Sequence, residues 1–371
     1  MSKRLREGYT TGSSATAAAM AAIRILLGGE PPEQIEIPLP VKGTLKIPVA
    51  HVEKIGPGRA CGAVIKDGGD DPDATHGHEI QALVEISAAD SLRIEISGGK
   101  GVGRVTLPGL PVPVGEAAIN PVPRKQIISG ALAEISRTAP EFCGLIKITI
   151  EVPQGEIIAK ETMNSRLGIL GGISILGTQG IVRPFSHASW KASIAQALNV
   201  ARASGIEKIT FTTGRRSERF FQEQFPDTVQ ISLIQVADFF KFSMQQAGMK
   251  KIRKVRWSIF IGKLVKHAMG FPYTHAKDWA IDFDLLADWS AELGMAEETA
   301  KKIRAAITAR HVYEMVPEEF HQAFIRMLVR KACANACAFS GNSEVAVEYF
   351  LFDFDGNMIY NPGNQKKSSS S

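Results

Sequence analysis

Hydrophobic and polar residues alternate through much of the first half of the chain, and the alternation predicts strands at 35–40, 44–52, 60–66, 80–86, 92–97, 102–107, 145–152 and 156–160. Glycine or proline separates most of these runs, so the region reads as a mostly antiparallel sheet. Two helical patterns interrupt it. The first, ATAAAMAAIRILLGG at 15–29, is apolar nearly all round as far as Arg24 and should be buried against a sheet. Thr10, Thr11, Ser13 and Ser14 precede it and Gly28 and Gly29 close it, which are strong start and stop signals. The second begins after Asn120, at Pro121 and Pro123, and continues to about residue 136.

The stretch TMNSRLGILGGISILGTQGIVRPFS at 162–186 fits neither period. Gly168, Gly171, Gly172, Gly177 and Gly180 divide its short apolar runs, which suggests a bent, closely packed crossing. Glycine spacing leaves two readings open, a ligand-lining hinge and a tight turn inside a core. Pro184 ends the run and the period then changes, so we expect a first domain at 1–183 and a second at 184–361, with a disordered tail at 362–371. Helix patterns now alternate with strands at 208–213, 229–236, 255–261 and 345–352, and three or more helices fill 284–339. Such alternation predicts parallel strands joined by crossover helices, with ligands beyond the strands' carboxyl ends. Those ends carry TTGRRSE at 212–218, VADFF at 236–240 and IGKLVKH at 261–267. The glycine fingerprint of a dinucleotide site does not occur.

Composition narrows the class. A chain of 371 residues that is 44% hydrophobic and 22% charged is expected to be a soluble globular protein of two domains. No apolar run approaches the roughly 20 residues that span a bilayer, and the start MSKRLREGYTTG lacks the apolar stretch of a secretory signal. A cytoplasmic location and no membrane partner are the expectations. A net charge of +5 suits an anionic small molecule at least as well as nucleic acid. The basic run Lys250, Lys251, Arg253, Lys254 and Arg256 reads as the solvated start of a strand, so no nucleic-acid partner is expected. Cys61, Cys143, Cys333 and Cys337 lack metal-site spacing and read as buried thiols, with no metal bound by the protein.

Two polar segments carry candidate chemistry. Four hydroxyls among the five residues at 10–14 exceed what capping requires, and a helix N-terminus offers free N–H groups to a carboxylate or phosphate. KDGGDDPDATHGHEI at 66–80 packs four aspartates and two histidines into one loop, a density that needs a cation, basic neighbours or raised pKa values. A solvated acidic turn is the alternative.

Seven blocks then identify a resemblance: GYTTGSSATAAA at 8–19, VIKDGGDDPDATHG at 64–77, GGKGVGRVTLPGL at 98–110, GEAAINPVPR at 115–124, NSRLGILGGISILGTQGIV at 164–182, TTGRRSE at 212–218 and IGKLVKHAMGFPYTHAK at 261–277. Together they resemble the CbiD family, the cobalt-precorrin-5B (C1)-methyltransferases of anaerobic cobalamin biosynthesis. The chain departs at Ser14, where the family commonly has cysteine, and it diverges more in the second half. The resemblance implies an α+β N-terminal domain joined to a Rossmann-like α/β C-terminal domain. It also implies S-adenosylmethionine-dependent methylation of carbon 1 of cobalt-precorrin-5B, giving cobalt-precorrin-6A, with the cobalt carried by the substrate alone.

On that reading the macrocycle's carboxylate arms need cationic or N–H partners. The expected substrate contacts are Thr10, Thr11, Ser13, Ser14, Arg124, Arg183, Arg215 and Lys263. A proton acceptor is sought among Asp67, Asp70, Asp71 and His76. The methyl donor is expected near Gly171, Gly172, Ser174, Thr213, Gly214, Glu218 and Asp238, with a carboxylate on its ribose. Beyond the cobalt-precorrin, transient contacts with neighbouring pathway enzymes are the further partners considered. The alternatives are a corrinoid carrier or another tetrapyrrole-modifying enzyme, and a phosphate-handling enzyme, which the missing glycine-rich lysine loop argues against.

Overall fold

The computed structural model describes residues 5–365, with side chains as far as residue 363. The chain divides into two compact units, Met1–Ser186 and His187–Ser371. Both mix helices with sheets, and each has its own core.

The first unit opens with β1 (Gly8–Tyr9) and α1 (Thr11–Leu26), followed by a hairpin of β2 (Gln34–Pro38) and β3 (Thr44–Pro48). Then come β4 (His51–Gly56), β5 (Arg59–Ile65), β6 (Glu79–Ser87), β7 (Arg93–Gly98) and β8 (Arg104–Val105). The unit ends with α2 (Pro121–Thr138), β9 (Leu145–Glu151), α3 (Gly155–Ala159), β10 (Ile169–Leu170) and β11 (Ile181–Val182). The main sheet has the order β4-β5-β6-β9-β7, antiparallel except where β7 joins β9.

Helix α1 lies between this sheet and α2. Its alanines explain how closely it fits, because a Cβ on Gly62 of β5 would stand 2.2 Å from the carbonyl oxygen of Ala18. Backbone therefore rests almost on backbone, and larger side chains on that face would force the helix off the strand. Arg24 is not stranded by this burial. Its guanidinium donates to both carboxylate oxygens of Glu134 on α2, at 2.8 and 3.2 Å.

The second unit runs α4 (His187–Ala203), β12 (Lys208–Thr212), α5 (Arg215–Gln224), β13 (Leu233–Gln235), α6 (Phe240–Met249), β14 (Lys254–Phe260) and α7 (Ile261–Ala268). Four more helices follow, α8 (Phe283–Glu292), α9 (Glu297–Arg304), α10 (Ala309–Met315) and α11 (Glu318–Ser340), then β15 (Ala346–Phe352) and β16 (Met358–Tyr360). The sheet order is β13-β12-β14-β15-β16, the first four strands parallel and β16 antiparallel at the edge. Ile209, Phe211, Val255, Trp257, Tyr349 and Leu351 face the large core with α4, α6, α7 and α11, while α5 packs Phe220 and Phe221 with Leu233, Phe350 and Phe352. Among the described residues no helix is long and apolar enough to cross a membrane.

Several expectations need correction. In place of a strand at 156–160, Gly155–Ala159 forms a short helix, because Pro153 follows the end of β9 and the next carbonyls are taken by the turn itself, with Ile157 and Ile158 donating to Gln154. The run 44–52 is two strands that serve different sheets, and 102–107 keeps only two strand residues. At 229–236 a 3-10 turn, Gln230–Ser232, precedes a strand of three residues. Arg256 is buried rather than solvated, since strand alternation turns it under α5, where it lies over the Phe221 ring. Of the thiols only Cys61 is buried, while Cys143 and Cys337 are exposed. Pro362–Gln365 forms a 3-10 turn at the start of the expected tail, whose remainder lies outside the described residues.

Candidate functional site

The loop between β5 and β6 is closed by its own ends, the Lys66 N–H reaching the His78 carbonyl and the Gly77 N–H the Lys66 carbonyl, both at 2.8 Å. The segment Arg6–Tyr9 crosses it at backbone distance. A Cβ on Gly8 would stand 2.3 Å from the Asp67 carbonyl oxygen, so only glycine lets the two segments touch there.

This crossing supplies the charge compensation that the aspartates require. The Arg6 guanidinium grips both oxygens of Asp67, and the Arg6 N–H donates to Asp70 Oδ2 at 2.7 Å. The hydrogen bonds from Arg6 and from the Gly69 N–H outweigh the effect of burial and hold the Asp67 carboxyl below its ordinary range. Asp71 Oδ1 accepts from the N–H of Phe185, an exposed aromatic at φ 56°. Asp73 lies 2.6 Å from the Nζ of Lys66, which is 1% exposed. His76 Nδ1 accepts from the Gly68 N–H at 2.9 Å, so the ring's proton sits on Nε2 and the imidazole is arranged to donate. All four expected catalytic residues are thus brought together. Among the described residues no group of three or more His, Cys, Asp or Glu side chains is placed to hold a metal ion.

The hydroxyls at the start of α1 are turned inward. Thr10 caps the helix by accepting from the Ser13 N–H, Ser14 donates to the Thr10 carbonyl, and all four side chains are buried. Thr11 Oγ1 accepts from Leu176 N–H at 2.9 Å and Ser13 Oγ donates to the Gly180 carbonyl at 2.8 Å. The excess over capping therefore stitches the glycine-rich stretch onto the helix. That stretch lies wholly in the first unit, where Gly172 meets Gly101 backbone to backbone and Ser174 bonds to Asn164. Arg124 is also spent on structure, donating to the Ile119 and Ile96 carbonyls at 3.1 Å each, and Arg183 pairs with Glu7.

In the second unit the candidates gather at the carboxyl ends of β12, β13 and β14. The connections from β12 and β14 turn to opposite faces of the sheet, towards α5 and α7, although the strands are neighbours. Thr213 and Gly214 follow β12, and a Cβ added at Gly214 or Gly262 would meet nothing within 4 Å. Ala237, at φ 48°, precedes Asp238, whose carboxylate pairs with Lys263 and accepts from Thr274 Oγ1 at 3.0 Å. The expected donor contact Asp238 and the expected substrate contact Lys263 therefore hold each other. Glu218 is buried and accepts from Thr212 Oγ1 at 3.4 Å, whereas Arg215 is exposed at the first position of α5.

Sequence reasoning missed Arg6 and Lys66, the two cations that neutralise the loop. Lys66 directly before four aspartates was the available signal; Arg6 lies 61 residues from Asp67 and gave none.

Residues 1–184 match the family CbiD, and residues 273–363 match the family described as CbiD, C-terminal domain. The chain is 45% identical over 359 residues to a cobalt-precorrin-5B C(1)-methyltransferase of Nitratidesulfovibrio vulgaris, covering 95% of this chain and 91% of that protein. It is 44% identical to the protein of that name from Priestia megaterium, covering 96% of each. A solved structure of a cobalamin biosynthesis protein (cbiD) from Archaeoglobus fulgidus is similar at 29% identity and a TM-score of 0.39, covering 71% of this chain and 79% of that one. With identity at that level running nearly end to end, the chain belongs to the CbiD family.

Proposed function

We propose that this protein transfers a methyl group from S-adenosylmethionine to carbon 1 of cobalt-precorrin-5B, giving cobalt-precorrin-6A in cobalamin biosynthesis. One observation carries the reading: identity of 45% and 44% spans almost the whole of this chain and of relatives named for that activity. The donor, when bound, supplies an electrophilic methyl group. A carbon–carbon bond forms at carbon 1 as the methyl–sulfur bond breaks, and sulfur keeps the bonding pair, so the protein's main task is to align two bound molecules.

We read the second unit as Rossmann-like from its parallel strand order and assign the donor's nucleoside to the carboxyl ends of β12 and β14. The open space at Gly214 and Gly262 fits a ligand lying against the backbone, and Asp238 supplies a carboxylate for ribose hydroxyls, shared with Lys263. The macrocycle is assigned to the Asp-rich loop. Asp70 is the best proton acceptor there, being exposed and using one oxygen on the Arg6 N–H, whereas Asp67 is saturated by Arg6 and Gly69. His76 acts as a hydrogen-bond donor to the macrocycle.

Incubation with methyl-labelled S-adenosylmethionine and cobalt-precorrin-5B, followed by mass spectrometry and location of the label, tests the reading. Label on carbon 1 is expected. A macrocycle that binds but stays unlabelled would make the protein a carrier.

A further inference from the structure

The segment after α7 folds back against the turn between β13 and α6. There the Lys241 N–H donates to the Pro272 carbonyl and the Thr274 N–H to the Asp238 carbonyl, both at 3.0 Å. Thr274 is 1% exposed, and each of its polar atoms is used. Its hydroxyl donates to Asp238 Oδ1 at 3.0 Å and accepts from the Lys263 ammonium at 3.1 Å. Its carbonyl accepts from Lys266 and Lys263 at 3.0 and 3.3 Å. A hydroxyl suits this place because one atom both donates and accepts.

Asp238 is held on one side only. Its Oδ1 accepts from Thr274 and pairs with Lys263, whereas Oδ2 accepts from nothing among the described residues and is not buried, the side chain being 18% exposed. The terminal torsion of an aspartate has no sharp preference of its own, so the neighbours decide where Oδ2 points. Lys263 fixes this poorly, since an ammonium on a flexible four-carbon stem is a point charge that can follow the carboxylate as it turns. Thr274 is the rigid member. Its main chain is tied at both the N–H and the carbonyl, and it grips the backbone and the side chain of Asp238 together.

We propose that Thr274 is a positioning residue for the methyl donor, one that turns Asp238 so that Oδ2 is presented to the ribose hydroxyls. This inference rests on the donor assignment made above and adds to it a residue that acts through Asp238 rather than on the ligand.

Calorimetric titration with S-adenosylhomocysteine, and with an analogue lacking both ribose hydroxyls, tests it. Thr274→Val keeps the shape and removes both hydroxyl hydrogen bonds. It should weaken S-adenosylhomocysteine binding about tenfold, the range of a hydrogen bond to a charged group, while Thr274→Ser stays within about twofold of the unaltered protein. The analogue should bind the unaltered protein and Thr274→Val within about twofold of each other, which a general distortion of the site would not allow. Should Thr274→Val fail to fold by circular dichroism, Thr274→Ala set against Thr274→Ser makes the same comparisons, because those two differ by the hydroxyl alone. Three results overturn the role of Thr274: unchanged S-adenosylhomocysteine affinity in a folded variant without the hydroxyl, an equal loss for both ligands, or an equal loss in Thr274→Ser. In each case weakened binding in Asp238→Ala leaves the donor assignment standing. If Asp238→Ala binds S-adenosylhomocysteine unchanged, the donor assignment fails and takes this inference with it.

Discussion

Asp67, Asp70, Asp71 and Asp73 avoid mutual repulsion by each taking a different partner: a guanidinium, two backbone N–H groups and a buried ammonium. Asp73 shows how the balance is struck. Burial pushes its carboxyl up, but the Lys66 charge and the hydrogen bonds from Lys66 and Thr75 outweigh burial, and the carboxyl ends below its ordinary value of 3.8. A depressed carboxyl stabilises the fold above its unfolded value, and that contribution is lost as pH falls through the folded one. Asp73→Asn should therefore cost about 3 kcal/mol near neutral pH, as for other broken buried pairs, and the gap to the unaltered protein should begin to close only below 3.8. Urea melts over an acid series measure this; a gap that is constant with pH would mean the carboxylate's charge is not what stabilises the loop. The thiols behave differently. Partial burial drives the Cys333 thiol up to about 12, which keeps it protonated at neutral pH.

The glycine-rich stretch shows what periodicity can and cannot reveal about an element. Its glycines signalled a close crossing, and Gly172 makes one, with a hypothetical Cβ 2.1 Å from the Gly101 carbonyl oxygen. Gly171 beside it meets nothing within 4 Å and is required only for its φ of 77°. The two should respond differently to alanine. Gly172→Ala pushes backbone from backbone and should cost about 3 kcal/mol, whereas Gly171→Ala pays only the left-handed conformation, about 1 kcal/mol. Denaturant midpoints give the order, and a larger loss at Gly171 would refute the assignment of roles. Long patterns such as α1, α2, α4 and β14 were legible because their burial repeats over many residues. The short α3 was not, since five residues hold little more than one helical turn and no period can be read from it.

At the scale of the molecule, the core of the first unit draws all its residues from that unit, from Ala15 to Ile175. Residues 1–186 expressed alone should accordingly melt cooperatively, with about 5 kcal/mol of stability, when followed by circular dichroism in urea. A gradual, non-cooperative loss of signal would show that this unit is not self-sufficient. By itself the sequence determined the type of the long elements, the mixed α/β class and the family, because these are written in local periods and in ordered strings of neighbouring residues. Only the tertiary structure decided the partners. Arg6 meets Asp67 across 61 residues, Arg24 meets Glu134 across 110, and Ser13 meets Gly180 across 167. It also decided that the hydroxyls of α1 bind protein and that Lys66 is buried beside Asp73. Hydrogen bonds and ion pairs depend on distance and direction in space, and no spacing along the chain encodes either until the sheet and its helices have closed around them.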